Sequence, residues 1–466
     1  MSNMFSPRFQ RPQGFLTVLV IALVLRLANV FTIPVDPESL LANDANMYWS
    51  GAGLLLETGA FIDLYGDDFV LSTERVPGYY IFLAGIRWLF GPSLVATLIV
   101  QSVLDSFTCL LIAFLGGLHS RLLGLAAGLL AAASPNLIIH SSAILTDSLF
   151  LFFFTAMLAA AALFLRSGAI RWAAVGGLLL GVATMTRTVS QFLPLMMLPV
   201  FVAVPLWYRQ GLTRAVLVAV IFLAALSVPL APLVHRNLYE YDTLRLTTQS
   251  GSHLLNWVVP AVRAAADGTP RDEAISDLEA KLAERLENEG LARDALNPFA
   301  LSRVMTTLAL EELSQLPATA VLKAWGEGAI LNLISPAIVL DPRVQQLPHG
   351  SFIYTPGDNL VDRVFRYLSE ASIAFTLAVG LGLFGVAIIS LLQLHGFVIL
   401  IRQAPWAALF AAACVLYFLL VNGPVGSPKY RLPFEPILII LAAQGLLDLF
   451  DRWRQAQTDV NGKSPA

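Results

Sequence analysis

Asp44 and Tyr48, four residues apart, open a polar stretch that closes in the turn Arg75-Val76-Pro77-Gly78-Tyr79. Residues 36–80 lie between two long apolar runs in a chain that otherwise avoids charge. A carboxylate just outside a membrane helix can take the proton of a hydroxyl nucleophile when its neighbours keep it ionised and oriented. Asp44 is therefore the leading candidate for a general base. The plain alternative is a solvated loop acid, and Asp36, Glu38, Asp63, Asp67, Asp68 and Glu74 share the stretch. Spacing alone does not separate them from Asp44.

A second carboxylate, Asp147, follows Thr146 at the start of a strongly apolar run. Helix capping accounts for an acid there. An acid at membrane depth is also costly, and such acids are usually functional. Arg187, Arg236 and the Lys429-Tyr430-Arg431 triplet interrupt apolar runs at three further places. Each alone reads as an interfacial anchor whose charged head reaches water. With Arg75 they place cations from four segments at one membrane surface, which suits a lipid phosphate or pyrophosphate. None of the histidines, His140, His235, His253 and His349 among them, has a ligand spacing. No metal centre is assigned, and a divalent ion held by aspartates stays open.

The elements that must position these residues are membrane helices. The chain is 57% hydrophobic and only 13% charged, with a mean hydropathy of +0.71. Soluble domains carry about a quarter charged residues, so the composition is that of a polytopic membrane protein. A net charge of −3 excludes the basic face that nucleic acid needs. Cys109 and Cys414 fall inside apolar runs and read as small hydrophobes. No phosphate-cradling glycine loop is present, which argues against an ATP-driven pump.

At about 20 apolar residues per span, helices are expected near 15–34, 95–116, 122–141, 146–165, 171–187, 190–208, 214–234, 371–394, 406–421 and 433–449. The first run follows Arg8 and Arg11 but is long enough to be a retained helix. The run Tyr79–Phe90 is too short to cross, and its two tyrosines and Trp88 suit the headgroup level. Arg8 and Arg11, His119 and Arg121, Arg166 and Arg171, Arg209 and Arg214, Arg402, and Arg452 and Arg454 fall at alternate boundaries. Placing those inside puts both termini in the cytoplasm and every candidate residue on the opposite face. Residues 236–370 read as a small helical cap on that face. One helix is expected with Thr269 as N-cap and Pro270 first, its apolar stripe at Ile275, Leu278, Leu282 and Leu286. A second is expected after Asn297-Pro298, and a third, over 318–333, along the membrane surface. The organisation is thus 1–235, a transmembrane module with its first loop at 35–94; 236–370, the cap; 371–454, the last helices; and 455–466, a polar tail.

In this order the motifs resemble the GT-C superfamily of integral-membrane glycosyltransferases, especially bacterial members related to protein O-mannosyltransferases and lipid A aminoarabinose transferases. The first loop has D-x-x-x-Y-x-x-x-A as Asp44, Tyr48 and Ala52, and R-x-P-G-Y as Arg75, Pro77, Gly78 and Tyr79. Thr146-Asp147 matches T-[ED] at the head of an apolar helix. Leu178, Gly181 and Arg187 match L-x-x-G-x-x-x-x-x-R with one extra residue, and Tyr430, Arg431, Leu432, Pro433 and Pro436 match Y-R-L-P-x-x-P. Two departures bear on metal use and donor: Ala45 stands where many members have a second acid, and Asp147 where Glu is commoner.

The resemblance implies an all-α GT-C bundle of about ten transmembrane helices (range 9–13) with juxtamembrane helices in the first loop. It implies a polyprenyl-phosphate-linked sugar as donor, a glycan, lipid or protein acceptor, and a multi-pass place in the bacterial inner membrane with the site extracytoplasmic. Asp44 would be the base of an inverting transfer. Asp147 would orient Arg or Tyr partners, and Arg75, Tyr79 and Tyr48 would shape the loop or touch the donor. Arg187, Arg236, Lys429 and Arg431 would offset charge on the leaving phosphate beside Tyr430. A flippase for lipid-linked saccharides is the alternative, as is an O-antigen ligase or polymerase. A flippase should carry charges at the bilayer midplane, where the only clear ionisable residue is Arg26.

Overall fold

The structure, a computed structural model, describes residues 12–34, 40–42, 44–65, 68–357 and 359–461. Arg8, Arg11, Asp36, Glu38 and Asp67 lie outside them. It is an all-α membrane bundle carrying one short hairpin. In chain order the elements are α1 (Pro12–Val30), α2 (Asp44–Thr58), the antiparallel strands β1 (Ile62–Tyr65) and β2 (Asp68–Leu71), α3 (Gly78–Phe90), α4 (Leu94–Gly117), α5 (Arg121–Ala133) and α6 (Pro135–Ser141). There follow α7 (Asp147–Ser167), α8 (Ile170–Thr186), α9 (Leu193–Trp207) and α10 (Leu212–Tyr241). The cap holds α11 (Gln249–His253), α12 (Val259–Asp267), α13 (Arg271–Asn288), α14 (Pro298–Gln315), α15 (Ala318–Ile334) and α16 (Leu360–Ser369). The chain ends in α17 (Ile373–Gln403), α18 (Pro405–Asn422) and α19 (Glu435–Asn461).

Each of the apolar runs expected to span is helical. Among the described residues 7 helices are long and apolar enough to cross, or 8 if the bent pair α5–α6 is one span. The remaining two, α8 and α9, are shorter apolar helices of 17 and 15 residues. The last helix runs on to Asn461, so residues 455–461, expected as a polar tail, continue the helix.

The bend in α5–α6 has a local cause. Pro135 has no N–H, so the carbonyl of Ala131 loses its helical donor and the axis turns by 52°. Arg26 of α1 fills the gap: its Nη2 donates to the Ala131 carbonyl at 3.4 Å and its Nη1 to that of Ala132 at 3.1 Å. Its Nε pairs with Asp105 of α4 at 2.6 Å, with both side chains at most 1% exposed. The one clear intramembrane charge in the sequence is thus half of a closed brace joining α1, α4 and the break.

Around this brace Val18, Ala22, Ile112, Ala127, Leu137 and Ile439 form one apolar core. A second, of Phe154, Phe164, Leu180, Phe201, Phe222 and Phe418, joins α7 to α10 with α18. Gly181 sits there because a Cβ would collide with the Leu226 carbonyl of α10, the small-residue contact that lets membrane helices approach closely.

The first loop builds its own core on the bundle. Tyr79 and Tyr80 of α3 are fully buried beside Tyr48 and Ala52 of α2. Headgroup contact by these tyrosines is therefore overturned; the exposed apolar side chains of α3 are Ile81 near its start and Trp88, Leu89 and Phe90 at its end.

In the cap α13 begins at Arg271, with Pro270 in the cap position and no side-chain cap bond. The expected N-cap, Thr269, instead bonds the Asp267 carboxylate through its hydroxyl and its N–H. Leu278, Leu282 and Leu286 are buried as a stripe, with Ala274 taking the inward place expected for Ile275. α14 starts under an Asn297 cap, its Oδ1 accepting from Ala300 N at 2.8 Å. α15 packs on α12 through Ala320 and Ala324 and on the end of α18 through Trp325, whose indole N–H donates to the Leu420 carbonyl at 3.2 Å.

Arg26→Met leaves Asp105 buried without a partner, which costs about 3–5 kcal/mol. Thermal unfolding in detergent is expected to show a large fall for Arg26→Met. Arg26→Met/Asp105→Leu is expected to recover part of it, because the Ala132 carbonyl still loses its Arg26 donor, while that of Ala131 keeps the Ser134 N–H at 3.3 Å. A single variant melting with the unaltered protein would remove the brace from the account.

Candidate active site

Five segments meet at one end of the bundle: the first turn of α2, the turn before α3, the first turn of α7, the chain after α8, and the 3-10 turn Pro428–Phe434. Local features bring them together. Gly78 presses on the end of α8, where a Cβ would strike the Met185 carbonyl. One residue on, the Tyr79 hydroxyl donates to Gln101 Oε1 of α4 at 2.6 Å, and Gln101 Nε2 donates to the Ala143 carbonyl just before α7 at 2.8 Å. Tyr48 meets Tyr79 edge-on, their ring centroids 5.1 Å apart.

Asp44, the first residue of α2, is 44% exposed. Arg75 Nη2 is 3.4 Å from its Oδ1 and 3.5 Å from Glu74 Oε1, so the contact to Asp44 is loose. Asp147 lies deeper, 4% exposed, and pairs tightly with Arg187. Thr146 makes no side-chain cap bond. Arg187 extends from the end of α8 and its guanidinium carbon stands 5.6 Å from the Tyr430 ring centroid. Lys429 Nζ lies 5.4 Å from that same centroid. Among the described residues Lys429 has no ion pair or hydrogen bond, and its charge is felt at Asp147.

The other two cations are differently engaged. Arg431, 6% exposed, bonds both oxygens of Glu435 at 2.6 and 3.1 Å and the Leu333 carbonyl of α15 at 2.9 Å. A phosphate would have to break a closed, buried pair to reach it. Arg236 lies within α10, not at the start of the cap. It bonds Asn237 Oδ1 at 2.8 Å and the Ser72 carbonyl at 2.8 Å, with its guanidinium carbon 5.6 Å from the Phe61 ring. Arg236 thus ties the hairpin to α10 on the far side of the loop. The structure brings together Asp44, Tyr48, Arg75, Tyr79, Asp147, Arg187, Lys429 and Tyr430. It assigns Arg431 and Arg236 to holding the segments that carry them.

Burial pushes the Tyr48 phenol up to about 12 against the opposing pull of Arg75, and its field reaches both the Asp44–Arg75 and the Asp147–Arg187 pairs. Tyr48 is therefore a neutral hydroxyl at ordinary pH, close enough to both pairs to feel their charges. Burial likewise holds the Tyr79 phenol well above its usual range. His253 of α11 is kept below the usual histidine range by burial and then by Arg75, which places the cap's first turn against the loop. The backbone agrees: Thr248 N donates to the Thr73 carbonyl at 2.9 Å. No group of three or more His, Cys, Asp or Glu suited to a metal occurs among the described residues.

Several supporting residues escape a motif-led reading. Glu435 had a signal, since it stands four residues after Arg431, a spacing at which opposite charges meet on a helix. Gln101 was visible only as a polar residue inside an apolar run. Asn332 of α15, fully buried, accepts from Ser427 N at 2.9 Å and donates to the Val425 carbonyl at 3.2 Å, fixing the chain just before Lys429. No sequence pattern marks it. His140, 3% exposed with its Nδ1–H donated to the Asn136 carbonyl at 2.8 Å, lies close enough to Asp147 and Lys429 to feel both.

No protein-family model matches the sequence, and no curated protein matches it. Among solved structures, the fold is similar to that of the archaeal oligosaccharyltransferase AglB from Archaeoglobus fulgidus in complex with an inhibitory peptide and a dolichol-phosphate. The TM-score is 0.53 at 11% identity, over 97% of this chain and 52% of that one. A second structure of the A. fulgidus oligosaccharyltransferase, tethered to an acceptor peptide, gives 0.54 at 12% identity, over 95% and 50%. The chain therefore spans about half the length of AglB. ArnT from Cupriavidus metallidurans bound to undecaprenyl phosphate matches at a TM-score of 0.40 and 16% identity, over 94% of this chain and 78% of that one. The likeness to the two oligosaccharyltransferase structures is one of fold.

A double-mutant cycle tests the deeper pair. Asp147→Ala and Arg187→Ala are each expected to lower the melting point, and the double variant to lose less than the sum, with a coupling of about 1–3 kcal/mol. Additive losses would mean that the pair contributes no interaction of its own.

Proposed function

We propose that the protein is a glycosyltransferase that moves a sugar from a polyprenyl-phosphate carrier to a hydroxyl acceptor, with inversion at the anomeric carbon. The observation that carries this is the contrast within the cluster. Asp44 is a half-exposed carboxylate in loose contact with Arg75, whereas Asp147, one tyrosine away, is buried and tied to Arg187. The first arrangement suits a base that must meet substrate. The second suits a group that orients its partner.

In this reading Asp44 takes the proton of the acceptor hydroxyl as its oxygen attacks the anomeric carbon. The bond between that carbon and the carrier phosphate breaks, and the phosphate oxygen leaves with the electron pair. Lys429 and Arg187, both near the Tyr430 ring, offset the charge that builds there; cations already in place need not reorganise as the bond breaks. Asp147 orients Arg187, and Arg75 holds the Asp44 carboxylate while its side chain packs under the loop. Tyr48, kept neutral, can offer a hydroxyl to either side. Arg431, Glu435 and Asn332 support Lys429 and Tyr430 from behind. The donor, the acceptor class and an extracytoplasmic site in a bacterial inner membrane belong to this proposal. A flippase would need unpartnered charge inside the bundle, whereas Arg26 and Asp105 satisfy each other there.

Asp44→Asn is expected to lower sugar transfer by about 10²–10⁴-fold, leaving folding and donor binding intact. The assay follows product by mass spectrometry after incubating membranes with a panel of polyprenyl-phosphate sugars; near-normal turnover would sink the assignment. Lys429→Ala is expected to weaken donor binding by roughly 10–100-fold, the value of a lost hydrogen bond to a charged group. Unchanged donor affinity would return Lys429 to the role of an interfacial anchor.

A further inference from the structure

Helix α16, Leu-Val-Asp-Arg-Val-Phe-Arg-Tyr-Leu-Ser, takes no part in the site. It is capped by Asn359, whose Oδ1 accepts from Asp362 N at 3.0 Å. Residues three or four apart share a helix face, and its ten residues fall into three strips. The first packs on protein: the Arg363 guanidinium lies 4.9 Å from the Phe352 ring and 3.9 Å from Glu327, while Tyr367 and Leu368 pack on Phe375 and Val379. The second is apolar and bare, with Val361 78% and Phe365 71% exposed one turn apart. The third is polar, with Asp362 and Arg366 paired at 3.1 Å beside exposed Ser369.

Bare apolar and polar strips side by side on one short helix are what a boundary between hydrocarbon and water satisfies and neither medium alone does. The occupant of the apolar strip follows from what comes next in the chain. After a three-residue elbow, 370–372, α17 begins with Ile373 79%, Leu377 68% and Leu381 74% exposed, the side of a span that faces lipid. The elbow is held by Ser372, whose N–H donates to the Pro348 carbonyl at 2.9 Å and whose Oγ accepts from Phe375 N at 3.3 Å. We propose that α16 lies in the membrane–water interface, Val361 and Phe365 among the acyl chains and Asp362 and Arg366 in water, so that the cap is seated on the bilayer surface. The inference stands without the transferase reading. Both arginines already have carboxylates, so apolar burial drives the contact and lipid charge does not.

The test places one cysteine in the full-length protein, at Phe365→Cys or Arg366→Cys, with a small fluorophore attached, in liposomes with and without anionic lipid. Cys109 and Cys414 are fully buried, so the unaltered protein gives the labelling background. The Phe365→Cys probe is expected to lose most of its fluorescence to brominated lipid and little to aqueous iodide, equally in both liposomes. The Arg366→Cys probe is expected to show the reverse preference. Quenching of the 365 probe by iodide, shielding from both quenchers as by a protein partner, or lipid quenching only with anionic lipid would each overturn the proposal. Val361→Cys repeats the measurement should Phe365→Cys fail to fold.

Discussion

A charge that leaves water must take its counter-charge along, because the interior of a membrane bundle offers no other compensation. This rule sorts the charged residues more sharply than their position does. Arg26 with Asp105 and Arg431 with Glu435 are both buried and both closed. Asp147 with Arg187 is closed on the acid's side, while the arginine is 17% exposed and stacks near Tyr430. Asp44 is half-exposed in a loose contact with Arg75, and among the described residues Lys429 has no ion pair or hydrogen bond. The cluster therefore grades from braced to open.

The brace also explains how an otherwise ordinary apolar run comes to serve the site. Without Pro135 the α5–α6 run would be a straight span, and Asn136 and His140 would continue down its axis. The break turns α6 toward the Pro428–Phe434 turn, where Asn136 Nδ2 comes within 3.4 Å of Glu435. Arg26 adds donors at the break, to the Ala132 carbonyl and to that of Ala131, which also accepts from Ser134 N. The cap acts on the same turn from the other side: Asn332 and the Leu333 carbonyl of α15 hold residues 425–431. Lys429 is thus placed by two elements distant from it in sequence. A helix in the cap is as much part of the site's frame as the bundle is.

Much of this was legible beforehand wherever the signal is local. Hydropathy located the apolar helices, because apolar content is a sum over neighbours; their ends were less legible, since α9 begins at Leu193 where the run was expected from 190. Asn297-Pro298 marked the start of α14. Thr269-Pro270 failed by one residue, since the threonine's hydroxyl found Asp267 and Pro270 took the cap position. Tyr79 and Tyr80 were misplaced because an aromatic pair at the end of an apolar run looks alike whether it meets headgroups or a second layer of protein, and the second layer, α2, is itself only moderately apolar.

The sequence by itself determined that the chain is a helical membrane protein and which residues of rare polarity stand at the ends of its helices; composition and spacing carry those facts. It could not decide which cation faces a carboxylate and which is left without one. Arg75, Arg187, Arg236, Lys429 and Arg431 look equivalent in one dimension. Only the tertiary structure separates them, because pairing depends on distances between segments far apart in the chain, and a low-dielectric surrounding turns those distances into the difference between a strut and a binding group.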